Sequence, residues 1–309
     1  MGFTAMGRTA VVLAPCVVLC LALSACETGA PTRDLSGGSA PTRASAGPSQ
    51  PVGVPSPDEP IPSDPAGLAS VLAEVTAALR SSIEAWTASG GTSEWPPPKP
   101  LVLQALYEQR IYRVLATDPK LANAVIPLLP PEVRGEASAN AAAGAALFSN
   151  IRPPDHRVRL RTRPPLPADE LLGCYEEAER RFGVAWEVLA AVNFVESKFG
   201  RVRSSSYAGA RGPMQFLPST WKAYGLGGDV NDPRDAILGA ANYLAVSGAP
   251  ADYHEALHHY NPVNAYVKAV MVYARRMMRD PRTFYAYYNW QVFVVTPNGG
   301  SERLTGPSA

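Results

Sequence analysis

The chain has 309 residues, 28 Lys plus Arg against 27 Asp plus Glu, and 46% hydrophobic side chains. That supplies apolar surface for one sizeable domain with smaller additions. A formal charge of +1 leaves no basic excess for neutralising phosphates, which argues against a nucleic-acid partner.

In chain order, residues 1–25 read as a targeting segment. Arg8 supplies the positive start, and Val11 to Leu23 form an apolar run of the length of a signal core, interrupted by Pro15 and short for a membrane span. Leu23-Ser24-Ala25-Cys26 resembles the bacterial lipobox, which predicts cleavage before Cys26 and lipidation of its sulfur. Each buried methylene of an acyl chain contributes about 0.8 kcal/mol, so two or three chains anchor a protein firmly. The expected location is therefore extracytoplasmic and membrane-anchored. Cleavage leaves Cys174 as the one further cysteine, so no disulfide framework is expected. Cys174 falls in the spacing Leu171, Cys174, Tyr175, Ala178, Phe182 and reads as a small core residue.

Residues 26–65 are rich in Pro, Gly, Ser, Ala and Thr and read as a disordered tether, too poor in large apolar groups to offset ordering entropy. Such a stretch spans roughly 35 Å as a flexible coil and up to about 120 Å as extended polyproline. Leu68, Val71, Leu72, Val75, Leu79 and Ile83 predict a helix over 66–89, stopped by Gly90-Gly91. Further helices are predicted at 101–117, 120–129 and 131–148, so residues 66–150 read as a helical subdomain acting as a brace. Residues 151–167 carry Arg and Pro with almost no apolar pattern and read as a surface linker. From Ala168 helical spacing returns, with helices expected at 168–183, 185–198, 233–247, 251–260 and 263–279. Asp232-Pro233-Arg234-Asp235 is a strong helix start: a capping carboxylate, a proline suited to the first turn, and an acid at the positive end of the dipole. Residues 168–282 form the expected main domain, and 283–309 a hairpin and tail, with a strand at 290–296 before the turn Asn298-Gly299-Gly300. The fold class predicted is mainly α with a small C-terminal β-hairpin.

Within the main domain one acid stands out. Leu189, Val192 and Val195 mark an apolar helix stripe. Glu196 follows seven residues after Leu189, on or beside that face. A carboxyl pressed against apolar groups loses solvation of its charged form, which raises its pKa and suits it to donate a proton near neutral pH. Position on the helix alone also fits a carboxylate that swings out to water.

Glu196-Ser197, Gly212-Pro213-Met214-Gln215 and Tyr260-Asn261 occur in the order and spacing of the lytic transglycosylases, and the chain resembles that family of the lysozyme-like superfamily over about 170–279. The stretch from Ala208 to Trp221 is especially similar to the membrane-bound lytic murein transglycosylase B group. The resemblance implies a lysozyme-like helical catalytic domain and cleavage of the MurNAc–GlcNAc β-1,4 bond of peptidoglycan strands without water, leaving 1,6-anhydroMurNAc ends. Glu196 would protonate the glycosidic oxygen and then accept the proton of the attacking C6 hydroxyl. Tyr260 would hold its hydroxyl near the reacting centre, and Asn261 would bind an acetamido or hydroxyl group.

Residue chemistry adds to this. Most glycosidases need two carboxyls, yet no Asp or Glu lies between Glu196 and Asp229, which points to a single acid/base with the substrate's N-acetyl group stabilising C1. Gly212 permits a close approach or a positive φ. Met214 offers an adaptable apolar wall for a sugar face, and Gln215 can donate and accept towards a sugar or Glu196. Ser197 either bonds substrate or ends the helix. Tyr207 and Tyr266 are further subsite candidates. No cofactor or metal is expected.

His254-Glu255-Ala256-Leu257-His258 also matches the zinc-protease pattern His-x-x-x-His with a glutamate between. Asn261-Pro262 cuts that helix short, Asn261 and Asn264 stand where the extended motif needs Gly and His, and no acid follows before Asp280. A hydrolytic muramidase, this zinc hydrolase and a non-catalytic wall-binding protein are the alternatives to a lytic transglycosylase.

Overall fold

The computed structural model describes residues 53–307. The predicted signal segment, Cys26 and about the first two thirds of the predicted tether lie outside the described residues. The helices are α1 (Pro65–Ala88), α2 (Lys99–Thr117), α3 (Pro119–Val125), α4 (Pro131–Phe148), α5 (Ala168–Phe182), α6 (Trp186–Ser197), α7 (Pro218–Tyr224), α8 (Pro233–Val246), α9 (Tyr253–Tyr260), α10 (Asn264–Arg279) and α11 (Arg282–Tyr288). Strands β1 (Phe293–Val295) and β2 (Ser301–Arg303) pair antiparallel, Val294 opposite Glu302. The chain is mainly helical with a small terminal hairpin.

Capping carboxylates start two helices, one predicted and one not. Asp64, which was not predicted, accepts from Gly67 N–H at 2.7 Å with Pro65 in the first turn of α1. Asp232 accepts from Asp235 N–H at 3.0 Å at the start of α8. Gly183 closes α5 at φ 71°, a left-handed cap that glycine adopts at least cost. Where 120–129 was expected as one helix, α3 ends at Val125 and a 3-10 turn follows over Ile126–Leu128. Two short helices, α7 and α11, carry no amphipathic period long enough to betray them. α11 is aromatic-rich, and Phe284, Tyr287 and Tyr288 are buried in the core.

α6 is the axis of the molecule. Every residue from Val188 to Ser197 is buried, so the helix is covered on all sides rather than along one stripe, as a central core helix is. It packs against α5, α8, α10 and α11. Phe194 stacks on Tyr287 with centroids 5.1 Å apart and meets Tyr273 edge-on at 4.9 Å.

Residues 66–150 share this core. α4 lies along α10, and one continuous apolar cluster runs from Leu68 in α1 through Ala141 in α4 to Met277 in α10. Glu136 of α4 receives Arg80 of α1 and Arg276 of α10, each at 2.8 Å on the same oxygen. α1 is long and apolar enough to cross a membrane by length and composition, yet Leu68, Leu72, Val75, Leu79 and Ile83 are all buried in that cluster. Part of the stretch read as tether is also fastened: Arg110 donates to Glu59 O at 2.8 Å and the Tyr107 hydroxyl to Pro60 O at 2.7 Å. The 151–167 segment touches the main domain through antiparallel backbone bonds, Arg163 N–H to Arg201 O at 2.9 Å and Arg203 N–H to Arg161 O at 2.8 Å.

Candidate active site

Glu196 is the penultimate residue of α6 and is only 7% exposed. Burial pushes its carboxyl up to about 7, against the nearby Tyr266 hydroxyl and Lys198 charge, which both favour the anion. A group with that pKa is half protonated at neutrality and can both give and take a proton.

The backbone turns sharply behind it. Lys198, Phe199 and Gly200 all have positive φ, at 53°, 59° and 77°. Two non-glycine residues in that region store strain, which persists only when surroundings over-determine it. Phe199 is held by ring contacts to Phe194 and Phe284, each at 5.5 Å. Ser197 Oγ accepts from Gly200 N–H at 2.9 Å.

Ser197 is wholly buried, its hydroxyl 2.5 Å from the Pro213 carbonyl and 3.1 Å from Asn193 Oδ1. It straps the 212–215 turn to α6. The next carbonyl of that turn, Met214 O, accepts from the Tyr260 hydroxyl at 2.7 Å. Reciprocal bonds between Arg211 and Phe216, both 2.9 Å, close the turn at its base. Gly212 has φ 74°, and a Cβ there would lie 1.8 Å from Val230 O, so both expected reasons for glycine apply. Gln215 has φ 49° and donates its side-chain amide to Gly212 O at 2.9 Å.

Met214 is fully buried in the core. Tyr207 is 98% exposed and stands out from the 203–210 loop. The Tyr260 hydroxyl holds the turn through Met214 O. Tyr266 is fully buried on α10, beside the Glu196 carboxyl. Asn261 is 1% exposed with neither amide atom paired to a described residue, an arrangement that calls for a further partner.

Motif reading missed a row of rings beside Tyr260: the partly buried Tyr243 lies 5.6 Å from it, Tyr224 stacks on Tyr243 at 4.5 Å, and the buried Phe216 sits 5.9 Å from Tyr260. Nothing in their local spacing marks them, since α7 and α8 bring them together only in the fold. Lys198 was also missed as an electrostatic neighbour of the acid, although it stands two residues on.

His254 and His258 of the zinc-like pattern lie on the two-turn α9, and the residue that meets Glu255 is His259, at 3.2 Å. Among the described residues no three His, Cys, Asp or Glu side chains converge as a metal set. Cys174 is buried, and burial, first of all, lifts its thiol to about 11, far from a reactive thiolate.

A family profile described as the transglycosylase SLT domain matches residues 173–274. Membrane-bound lytic murein transglycosylase F of Thiobacillus denitrificans is 34% identical over 84 residues, covering 27% of this chain and 17% of that protein. The match thus spans about a sixth of that relative's length. No solved structure matches the chain. The segment from α5 through most of α10, with the buried glutamate at its centre, is a transglycosylase SLT domain of the lysozyme-like superfamily.

Proposed function

We propose that the protein is a peptidoglycan lytic transglycosylase that uses Glu196 as its sole acid/base. The observation that carries this reading is the buried Glu196 carboxyl, raised to about 7, at the end of a helix strapped to the motif turn by Ser197. As an acid it protonates the glycosidic oxygen, and the bond to C1 breaks. The substrate's N-acetyl group stabilises C1, since no second carboxyl lies between Glu196 and Asp229 and substrate-assisted glycosidases dispense with one. The C6 hydroxyl then attacks C1, its proton passes to the Glu196 carboxylate, and the acid is restored. The product is a 1,6-anhydroMurNAc end. Tyr266 orients the carboxyl, the 212–215 turn shapes the adjoining wall, and the unpaired Asn261 amide suits an acetamido group.

Cys26 would carry the lipid anchor, placing the enzyme outside the cytoplasm beside the wall; the name of the relative, a membrane-bound murein transglycosylase, supports that location. Cys26→Ala should release the protein from the membrane fraction, and retention would contradict the anchor.

The test is digestion of purified peptidoglycan by wild type and Glu196→Gln, read by mass spectrometry. Anhydro ends, one water lighter than reducing ends, are expected from the wild type. The amide variant should lose at least roughly 100-fold in rate, in the range of general acid catalysis. Reducing ends would convert the reading to a hydrolytic muramidase. Activity abolished by a chelator would revive the zinc alternative, and binding without cleavage the non-catalytic one.

A further inference from the structure

Apart from Glu196, a cavity of about 490 Å³ opens between the start of α2, the 162–164 segment and the tail at 304–307. That volume lies within the range of small-molecule pockets, about 300–1,000 Å³. Its charge is one-sided. Arg201, Arg163 and Lys99 line it, and no Asp or Glu does among the described residues.

Arg201 is the informative one. It is 3% exposed, its guanidinium donates to Lys198 O at 3.2 Å, and it lies over the rings of Tyr288 at 5.2 Å and Trp95 at 5.8 Å. No carboxylate among the described residues pairs with it. Buried charges are normally paired. Five donors in a fixed fork remain largely available for an anion. Lys99 begins a helix with no capping side chain, so the positive end of the α2 dipole adds to the field.

The wall chemistry decides which anion. Pro96, Pro97 and Pro164 line the cavity, and proline has no N–H, so the backbone donors that cradle phosphates are scarce here. What remains is a planar fork matched to a carboxylate, with the apolar surface of Trp95 and Leu304 for an organic body. Asn289, also lining the cavity, is 1% exposed, and its Oδ1 accepts no hydrogen bond from a described residue, an acceptor suited to an amide N–H. The tail that forms one side is built in place: Thr305 Oγ1 donates to Gln291 Oε1 at 2.9 Å, and Leu304 N–H to Val292 O at 2.8 Å.

We infer that this cavity binds the carboxylate end of a short peptide, of the kind carried by the strands that the proposed activity cuts. The source of the peptide rests on the proposed function; the binding does not. Titration calorimetry of the full chain with N-acetyl-alanyl-alanine, in L,L and D,D forms, against its C-terminal amide tests the inference. At least one acid form should bind roughly tenfold or more tighter than its amide, the worth of a charge-assisted bond, and Arg201→Gln should remove the difference. Should Arg201→Gln fail to fold, the exposed pair Lys99→Gln/Arg163→Gln should still weaken acid binding several-fold while leaving amide binding unchanged. Equal affinity for acid and amide, no binding, inorganic phosphate binding as tightly as the peptide, or an unaltered double variant would each overturn it. Comparing cleavage of intact strands with strands stripped of peptides then identifies the source: only intact strands should respond to the double variant, and an equal response would overturn the wall peptide as ligand. None of these outcomes alters the product mass that tests the proposed chemistry.

Discussion

Glu196 and Glu108 are both buried glutamates whose carboxyls are driven upward chiefly by loss of solvent, yet they stand in different settings. Glu108 lies mid-helix in α2, 1% exposed, with Thr76 Oγ1 donating to it at 2.9 Å and the Glu136 charge pushing it further up. Glu196 lies at a helix end, beside a strained turn and a motif loop held by Ser197 and Tyr260. A raised pKa therefore does not mark a catalytic acid by itself. Glu108 belongs to a polar knot inside the N-terminal helices, whose neighbour Glu136 binds two arginines. The Glu108 setting lies at a junction between helices; the Glu196 setting is the one that the proposed function uses for proton transfer.

Breaking the junction should have the largest effect. Glu136→Ala leaves Arg80 and Arg276 without their shared carboxylate and should cost about 3–5 kcal/mol in denaturant unfolding. A cost under about 1 kcal/mol would show that the two halves are not held this way. The linkage of Glu196 to pH comes next. Its folded pKa is raised, so the folded state binds a proton more tightly than the unfolded chain. Stability is thus fully present below about 4.5 and falls as pH rises through about 7. Glu196→Gln, which mimics the protonated acid, should match wild type near pH 4 and exceed it by roughly 3 kcal/mol at pH 8. Unfolding curves at the two pH values check this.

Activity sharpens the contrast. While Glu196→Gln loses at least roughly 100-fold, Glu108→Gln should retain cleavage within about twofold and change stability by less than about 1 kcal/mol at pH 7, because the acid it replaces is itself held neutral. The smallest effect is expected from Tyr266→Phe. Losing a donor to the anion raises the Glu196 pKa further, so the basic limb of the pH–rate profile should move up by a fraction of a unit, with about 1 kcal/mol lost in stability. A downward shift would reverse the assigned role of Tyr266.

Much of this arrangement is legible before folding. Capping chemistry at Asp232-Pro233 and the left-handed stop at Gly183 place α8 and α5 within a residue or two. The motif turn announces Gly212 because steric exclusion leaves no other residue there. What escapes is set by tertiary contacts. α11 has no helical period, and its aromatic side chains are placed by the α6 rings they meet, Tyr287 by Phe194 and Phe284 by Trp186. Residues 66–150 read as a separate brace because nothing local reveals that α4 lies along α10. The burial of Met214, and the bond from the Ser197 hydroxyl to Pro213 O, are invisible in a motif that names its residues without saying which of them the core covers. Tyr266 could be listed among aromatic candidates, but only the packing of α10 on α6 brings its hydroxyl to Glu196.

The central claim is that burial keeps the Glu196 carboxyl protonated close to neutral pH. Glutamate side chains labelled with carbon-13 at Cδ allow it to be read directly by NMR titration, the Glu196 resonance being the one missing from Glu196→Gln. A midpoint at about 7 is predicted; a midpoint near 4.5, the ordinary value for a solvated glutamate, would contradict the account.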